Sequence, residues 1–407
     1  MSRIDELIGE LCPDGTPFES IGAVVYRGST IRWGDVAGEE FQYIDLTSVD
    51  RVTHAITETQ TISSKDAPSR AQQIVREGDV IFGTTRPMLK RYTAIPAEYD
   101  GQIASTGYCV LRPQQERVLT NFLFHLLGTA EFYAFVEANQ RGASYPGIPD
   151  GVVKEFRIPV PPLEVQREIV RVLDTFTELE AELEAELEAR RRQYAHYRDS
   201  LLTFLEGGVR WATMGEVGEF IRGRRFTKAD VVCAGIPSIH YGEIYTTYGV
   251  AACEAVTHVR QDLAAQLRYA KTGDVVIAAV GETVEDVGKA VAWLGEEDVA
   301  VHDDCFAYRH PMNPKYVSYY LQTETFHSQK SKYVARAKVK RLSAADLAKI
   351  TVPIPPLEEQ ARIVAILDKF DALVNDLSIG LPAELAARRK QYEYYRDRLL
   401  TFEEAVA

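Results

Sequence analysis

Sulfur is scarce in this chain: five cysteines and four methionines in 407 residues. Cys12, Cys109, Cys233, Cys253 and Cys305 are odd in number and scattered, with no CxxC pair. That spacing excludes a disulfide framework or a zinc ribbon and fits a reducing cytoplasm. No run of ~18 apolar residues is present, so no membrane span is expected. The opening MSRIDEL places acids where a secretory signal would need an apolar core. Catalytic signatures are missing as well. There is no GxxxxGK[ST] phosphate loop, no GxSxG elbow, no HExxH pair and no Asn/Asp-Pro-Pro-Tyr/Phe segment of the adenine-methyltransferase kind. The expectation is a non-catalytic cytoplasmic protein that binds no metal and no cofactor of its own.

Positive charge is also short, with 46 Lys and Arg against 59 Asp and Glu, a net charge of −13. Taken whole, that speaks against a nucleic-acid partner. By segment it does not. Residues 1–157 carry 15 cations against 21 carboxylates, 158–206 carry 6 against 11, 207–351 carry 18 against 17, and 352–407 carry 7 against 10. Eight of the thirteen excess negative charges thus fall in 158–206 and 352–407, barely a quarter of the chain. A whole-chain charge says little about a local basic patch.

What is abundant is repetition. A stretch that opens IPVPPLEVQ at Ile158 and closes RRRQYAHYRDSLLTF at Phe204 returns as VPIPPLEEQ from Val352, closing RRKQYEYYRDRLLTF at Phe402. The Pro-Pro pairs bar helix before them and suit a helix start, because proline lacks a donor that the first turn does not use. Apolar positions then step by three and four. The first seam runs Ile169, Phe176, Leu183, Leu187, Tyr194, Leu201 and the second Ile363, Phe370, Leu377, Leu385, Tyr392, Leu399. Leu179 and Leu373 fall on the same stripes. Such stripes predict a coiled coil. The copies are offset by 194 residues before their middle and 198 after it, so the second holds four extra residues, a stutter. SIGLP lies there, which predicts a break with helix restarting at Pro382.

The globular regions repeat too. GDVIFG at Gly78 answers GDVVIA at Gly273, and a helical pattern near Phe122 answers one near Tyr316. Asp5-Glu-Leu-Ile echoes Asp199-Ser-Leu-Leu, so the N-terminus reads as the tail of a repeat that begins at the far end. A cyclic two-fold plan follows, which predicts that the chain ends meet and that the long helices pair antiparallel. The fold class is α+β: two mixed α/β domains separated by two long helical regions. The boundaries are 1–157, 158–206, 207–351 and 352–407.

At these residues the chain resembles the specificity subunit of Type I restriction-modification systems. The resemblance rests on the Pro-Pro-Leu-Glu-x-Gln openings, the Gln-Tyr-x-x-Tyr-Arg-Asp-x-Leu-Leu-Thr-Phe endings, the GGVRW entry at Gly207 and the duplicated layout. It covers the whole chain. It implies two target recognition domains, each reading one half of a bipartite double-stranded DNA site, with the helical regions as ruler and docking surface. About 40 helical residues at 1.5 Å each would make a ruler of about 60 Å. It further implies two modification subunits bringing S-adenosylmethionine and two restriction subunits bringing ATP- and Mg-dependent translocation and cleavage. The bases read are not implied.

DNA-facing candidates come from loops that mix cations, hydroxyls and aromatics, since arginine can fork onto guanine and lysine can meet phosphate. In the first domain these are Thr84, Thr85, Arg86, Lys90 and Arg91 in TTRPMLKRY, with Arg141, Ser144 and Tyr145 in RGASY. In the second they are Arg222, Arg224, Arg225 and Lys228 in RGRRFTK, then Lys332, Arg336, Lys338, Lys340 and Arg341 in a run of alternating cations from Lys330. The β-like period places Lys332, Arg336, Lys338 and Lys340 on one face. His240 and Tyr241 read as packing residues. The HDDC segment at His302 lacks a second cluster to complete a metal site, and Glu282, Glu285, Asp286 and Lys289 read as a salt-bridged loop. The competing reading is an acidic coiled-coil scaffold or DNA mimic that sequesters a nucleic-acid enzyme. A self-sufficient nuclease or methyltransferase is disfavoured by the missing motifs.

Overall fold

The computed structural model describes residues 3–204, 207–334, 339–376 and 378–405. The chain divides into two compact units, Met1–Glu184 with Leu385–Ala407, and Ala185–Glu384. Both cuts fall inside helices: the long helix Leu163–Leu202 and the later helix Leu381–Leu399. The helical repeats are therefore not separate bodies. Each unit takes one stretch of helix from each repeat and packs it on its own globular region.

The first unit holds a four-stranded antiparallel sheet, in the order Val25–Tyr26, Tyr108–Pro113, Val80–Gly83, Tyr92–Ala94. A second, five-stranded sheet runs Ser29–Thr30, Ala71–Ile74, Ile103–Ser105, Glu40–Ile44, Gln60–Ser63, with one parallel pair at its centre. Val80–Gly83 is buried at every position, which is why it reads as a continuous apolar run without alternation. Phe18–Ser20 pairs antiparallel with Arg157–Pro159 and so ties off the globular region at its base. Helices Thr120–Leu126 and Ala130–Asn139 cover the first sheet, and Phe122, Leu123, Phe132 and Val136 share one core with Val165, Ile169 and Leu173 of the long helix. The chain ends meet in this unit. Thr16 bridges Glu404 in parallel, and a Cβ on Gly15 would lie 2.7 Å from Ala405 Cα.

The second unit repeats the plan. Its sheets run Glu219–Arg222, Cys305–Arg309, Val275–Ala278, Ala290–Trp293, Ala251–Ala252 and Val231–Val232, Thr257–Val259, Ile236–Ile239, Val299–Val301, Tyr269–Ala270. Arg210–Thr213 closes against Thr351–Ile354. Leu187, Tyr194 and Leu202 of the long helix join Ile363, Val364, Leu367 and Val374 of helix Leu357–Asn375 in its core.

The repeated sequence motifs have repeated physical jobs. Gln166 is fully buried; its carboxamide donates to Pro161 O and Arg117 O and accepts from Leu119 N–H. Gln360 donates to Pro355 O and accepts from Asn313 N–H. Each glutamine thus satisfies backbone polar groups around its helix start, where an orphan would cost about 1–3 kcal/mol. The aspartates of the Gly-Asp-Val strands act in parallel. Buried Asp79 takes both Nε and Nη2 of Arg112 at 2.8 Å, and buried Asp274 takes Arg309 at 2.8 and 3.2 Å.

Within the first unit Phe176 stacks on Tyr395 at 5.5 Å while Arg389 pairs with Glu180 and Glu184. Within the second, Tyr197 stacks on Phe370 at 5.3 Å and the Tyr194 hydroxyl reaches Asp371. In both, rising numbers on one helix meet falling numbers on the other, so each pairing is antiparallel. Helix Leu357–Asn375 ends at Asp376 and helix restarts at Leu381, one residue before the predicted proline. Ile169, Leu187, Tyr194, Ile363 and Leu385 are buried; Phe176, Leu183, Leu201, Phe370, Tyr392 and Leu399 are half-buried; Leu377 lies outside the described residues. The stripe is narrower than the periodicity suggests. Leu179 and Leu373 are 43% and 39% exposed, because a 3.6-residue helix drifts off a 3.5-residue seam.

Candidate nucleic-acid interface

In the first unit two loops carry the candidate residues, and backbone bonds stitch them together. Arg86 N–H donates to Pro146 O at 2.7 Å, Ile148 N–H donates to Thr84 O, and Gly147 bridges both Thr85 and Arg141. Arg86 has φ 49° and Lys90 φ 55°, flanking the short 3₁₀ turn Pro87–Leu89. The Arg86 guanidinium carbon lies 4.2 Å from the Tyr145 ring centroid, and the Lys90 ammonium lies 4.9 Å from that of Tyr133. Arg86, Lys90, Arg141, Ser144 and Tyr145 are exposed, and Thr85 is half-buried. Among the described residues no carboxylate pairs with Arg86, Lys90 or Arg141, whereas Arg76, Arg112 and Arg157 of the same unit each have one.

Two candidates of this loop serve the fold instead. Thr84 is buried and donates its hydroxyl to Gly107 O. Half-buried Arg91 donates from Nη1 to both Leu46 O and Val49 O at 2.6 Å. Both are tied to backbone carbonyls of their own unit, and the reason is local. Strand Tyr92–Ala94 begins at the next residue, and Arg91 O already accepts from Gly83 N–H.

A half-open cavity of about 590 Å³ lies beside Lys90, lined by His54, Tyr92, Asp174, Tyr392 and Arg396 among others. His54, also at positive φ, packs on Tyr92 at 4.0 Å, and burial pushes its pKa down to about 4. Fully buried His125 donates from Nε2 to Asp174 and accepts the Tyr392 hydroxyl proton at Nδ1. Burial holds its pKa below the ordinary value although Asp174 opposes this, so the ring is neutral near pH 7. These are seam contacts; Asp368 takes Tyr319 and Lys315 in the same manner in the second unit.

In the second unit Arg224, Arg225 and Lys228 are exposed, on a turn that follows strand Glu219–Arg222. Gly223 sits in that turn because a Cβ would lie 2.1 Å from His302 O. Arg222 is partly used, donating to Asp303 O. Arg341 pairs with Asp304 at 3.5 Å, and Arg222, Arg341, Asp303 and Asp304 line one groove of about 570 Å³.

The alternating run from Lys330 is not one strand. Helix Glu324–Lys330 is followed by a turn through Lys332, and among the described residues of the run strand occurs only at Lys340–Arg341. Arg336 and Lys338 lie outside the described residues. Lys330 itself is fully buried, donating to Glu285 O and Val287 O. An even spacing of cations fits a strand face, but here the helix cap and the buried ammonium interrupt it. Lys332 is exposed and Lys340 half-buried.

His302, Asp303 and Asp304 offer ligand atoms within 4.8 Å of one another. His302 is occupied, however, with Nε2 on Phe226 O and Nδ1 accepting from Asp304 N–H. His240 and Tyr241 pack as expected, His240 capping helix Tyr241–Thr246 and lying 4.3 Å from the His302 ring. What the sequence did not mark is the backbone pairing through Pro146 and Gly147 and the ring of Tyr133 under Lys90. Neither carries a local signal.

Comparison with known proteins agrees with this duplicated layout. The sequence matches the family described as the Type I restriction modification DNA specificity domain over residues 43–189 and 209–387, one match in each half. It is 33% identical over 264 residues to the type I restriction enzyme EcoR124I/EcoR124II specificity subunit of Escherichia coli, covering 61% of this chain and 63% of that one. The match thus spans just under two thirds of the E. coli subunit. A putative type I restriction enzyme specificity subunit of Haemophilus influenzae, S.HindORF215P, is 32% identical over 298 residues, covering 71% and 74%. A solved chain from work on complex assembly and conformational transition of the type I R-M system superposes with a TM-score of 0.68 at 28% identity, covering 95% of this chain and 98% of that chain. With both globular regions and both helical repeats accounted for, the chain belongs to the DNA specificity family of type I restriction-modification systems.

Proposed function

We propose that this chain is the sequence-reading subunit of a type I restriction-modification complex, each globular region binding one half of a split double-stranded DNA site. The observation that carries this is the duplication of an entire reading unit, each copy bearing a loop surface whose cations are not neutralised. In the first that surface is Thr85, Arg86, Lys90, Arg141 and Tyr145; in the second it is Arg224, Arg225 and Lys228, exposed and without a paired carboxylate among the described residues. The helical repeats set the interval and dock two modification and two restriction subunits. Chemistry resides in those partners: S-adenosylmethionine for adenine methylation of a flipped base, ATP and Mg for translocation and cleavage. The chain itself is non-catalytic. The acidic-scaffold alternative is not supported, since the matched relatives are specificity subunits. No helix among the described residues is long and apolar enough to cross a membrane.

The test is methylation profiling of genomic DNA with and without the gene. Loss of one gapped adenine motif is the expected result. An unchanged methylome, with the partner genes intact, rejects the proposal.

A further inference from the structure

Among the described residues three that are not glycine hold positive φ: His54, Arg86 and Lys90, all in the first unit. Arg86 is the least expected of them. It precedes Pro87, a position that favours extended backbone, and an L-side chain in the left-handed region is strained where glycine would not be. Such strain persists when the surroundings over-determine it and gathers at functional sites. Here the surroundings are visible. Arg86 N–H is tied to Pro146 O, Arg86 O accepts from Leu89 N–H, and the guanidinium rests on Tyr145, which is 72% exposed. The contact therefore buries little, and no carboxylate among the described residues shares it.

Resting on the DNA-reading function above, we propose that Arg86 and Tyr145 form one pre-set guanine reader for the half-site bound by the first unit. An arginine side chain free in solvent must give up several torsions to fork onto a base. Here the backbone fixes its root and the ring occupies the apolar face of the guanidinium. The N–H donors lie in the guanidinium plane, at its edges, and remain available for the O6 and N7 acceptors of guanine in the major groove. Phosphate contact needs no such fixed geometry, and Lys90, a compact charge on the far side of the same turn, fits that role with Arg141. The pair joins loops separated by 59 positions in sequence, Arg86 to Tyr145, so a change in either loop alters the same base contact.

The experiment is selection of bound duplexes from a library with both half-sites randomised. It uses the full chain co-expressed with its modification subunit. Arg86→Gly keeps the left-handed backbone without strain and removes only the side chain. Arg86→Lys keeps charge without the fork, Tyr145→Phe keeps the ring, and Tyr145→Leu removes it. The wild type is expected to enrich a split motif with a G·C pair in one half. Arg86→Gly and Arg86→Lys should lose about 10- to 100-fold discrimination at that one base pair, leaving the other half-site unchanged. Tyr145→Leu should weaken the same position and Tyr145→Phe should not. A uniform drop in affinity with every preference retained assigns Arg86 to phosphate and overturns the reader. A wild-type motif that Arg86→Gly leaves intact also overturns it, without touching the proposed function. A wild type that enriches no split motif overturns both.

Discussion

The two units are built alike where they bear load and unlike where they face outward. Gln166 and Gln360, Asp79 with Arg112 and Asp274 with Arg309, and the stacks Phe176 on Tyr395 and Phe370 on Tyr197 are pairwise equivalents. Thr129 and Thr323 cap corresponding helices through the same side-chain bond. The loops differ throughout. The first unit has two strained cations on aromatic rings, whereas the second has a turn at Gly223 and a groove in which Arg222 donates to the Asp303 carbonyl and Asp304 pairs with Arg341. Internal polar groups must be satisfied in one geometry, so both copies keep it. A surface loop has no such constraint and can come to suit a different base sequence.

If the frames are equivalent, breaking the buried aspartate should cost each unit about the same. Asp79→Ala strands Arg112 and the Arg76 N–H; Asp274→Ala strands the Lys271 N–H and leaves Arg309 with Glu219 alone. Each should lose about 3 kcal/mol in urea unfolding, somewhat less for Asp274 because Arg309 is more exposed. A gap above about 2 kcal/mol between them would show that the frames are alike only in outline.

A smaller effect should separate the units by pH. Position 136 is a buried valine in the first and its counterpart 330 a buried lysine in the second. Burial pushes the Lys330 pKa down to about 8 from 10.5. Between those values the unfolded chain binds the proton more readily. Stability is therefore fullest near pH 10.5 and declines as pH falls through 8. Relative to Lys330→Met, the wild type should gain about 2 kcal/mol from pH 7.5 to 9.5, followed by denaturation at each pH. Parallel curves would mean that Lys330 is solvated in solution.

The smallest test concerns the stacks. Phe176→Leu and Phe370→Leu should each cost about 1 kcal/mol, and double-mutant cycles with Tyr395→Leu and Tyr197→Leu should give equal couplings. Unequal couplings would locate a difference in the frame itself.

Much of this frame was legible in the sequence. Period and proline placement gave the helix starts, the offset of 194 to 198 located the break, and the echo at Asp5 anticipated the meeting of the chain ends. The reading surface was less so. A cation's neighbours in sequence do not reveal whether a carbonyl some forty positions away has claimed it, which is why Arg91 looked like Arg86. Spacing likewise could not show that Lys330 turns inward at a helix end. The sign of φ at Arg86 has no sequence signature, because the loop it donates to, through Arg86 N–H to Pro146 O, lies sixty positions away.

The break between the helix ending at Asn375 and the helix starting at Leu381 has a further consequence for how the molecule opens. Starting a helix is costly and extending it is cheap. The 40-residue helix Leu163–Leu202 is nucleated once and contributes to both units, so it offers fraying no natural stopping point. The second repeat must be nucleated twice, once after Pro356 and again where Gly380 N–H is held by Asp376 O. Helix Leu381–Leu399 can therefore unwind while Leu357–Asn375 stays intact. Two sequences of nearly the same composition thus differ in kind: one ties the unfolding of its two ends together, and the other lets them melt one at a time.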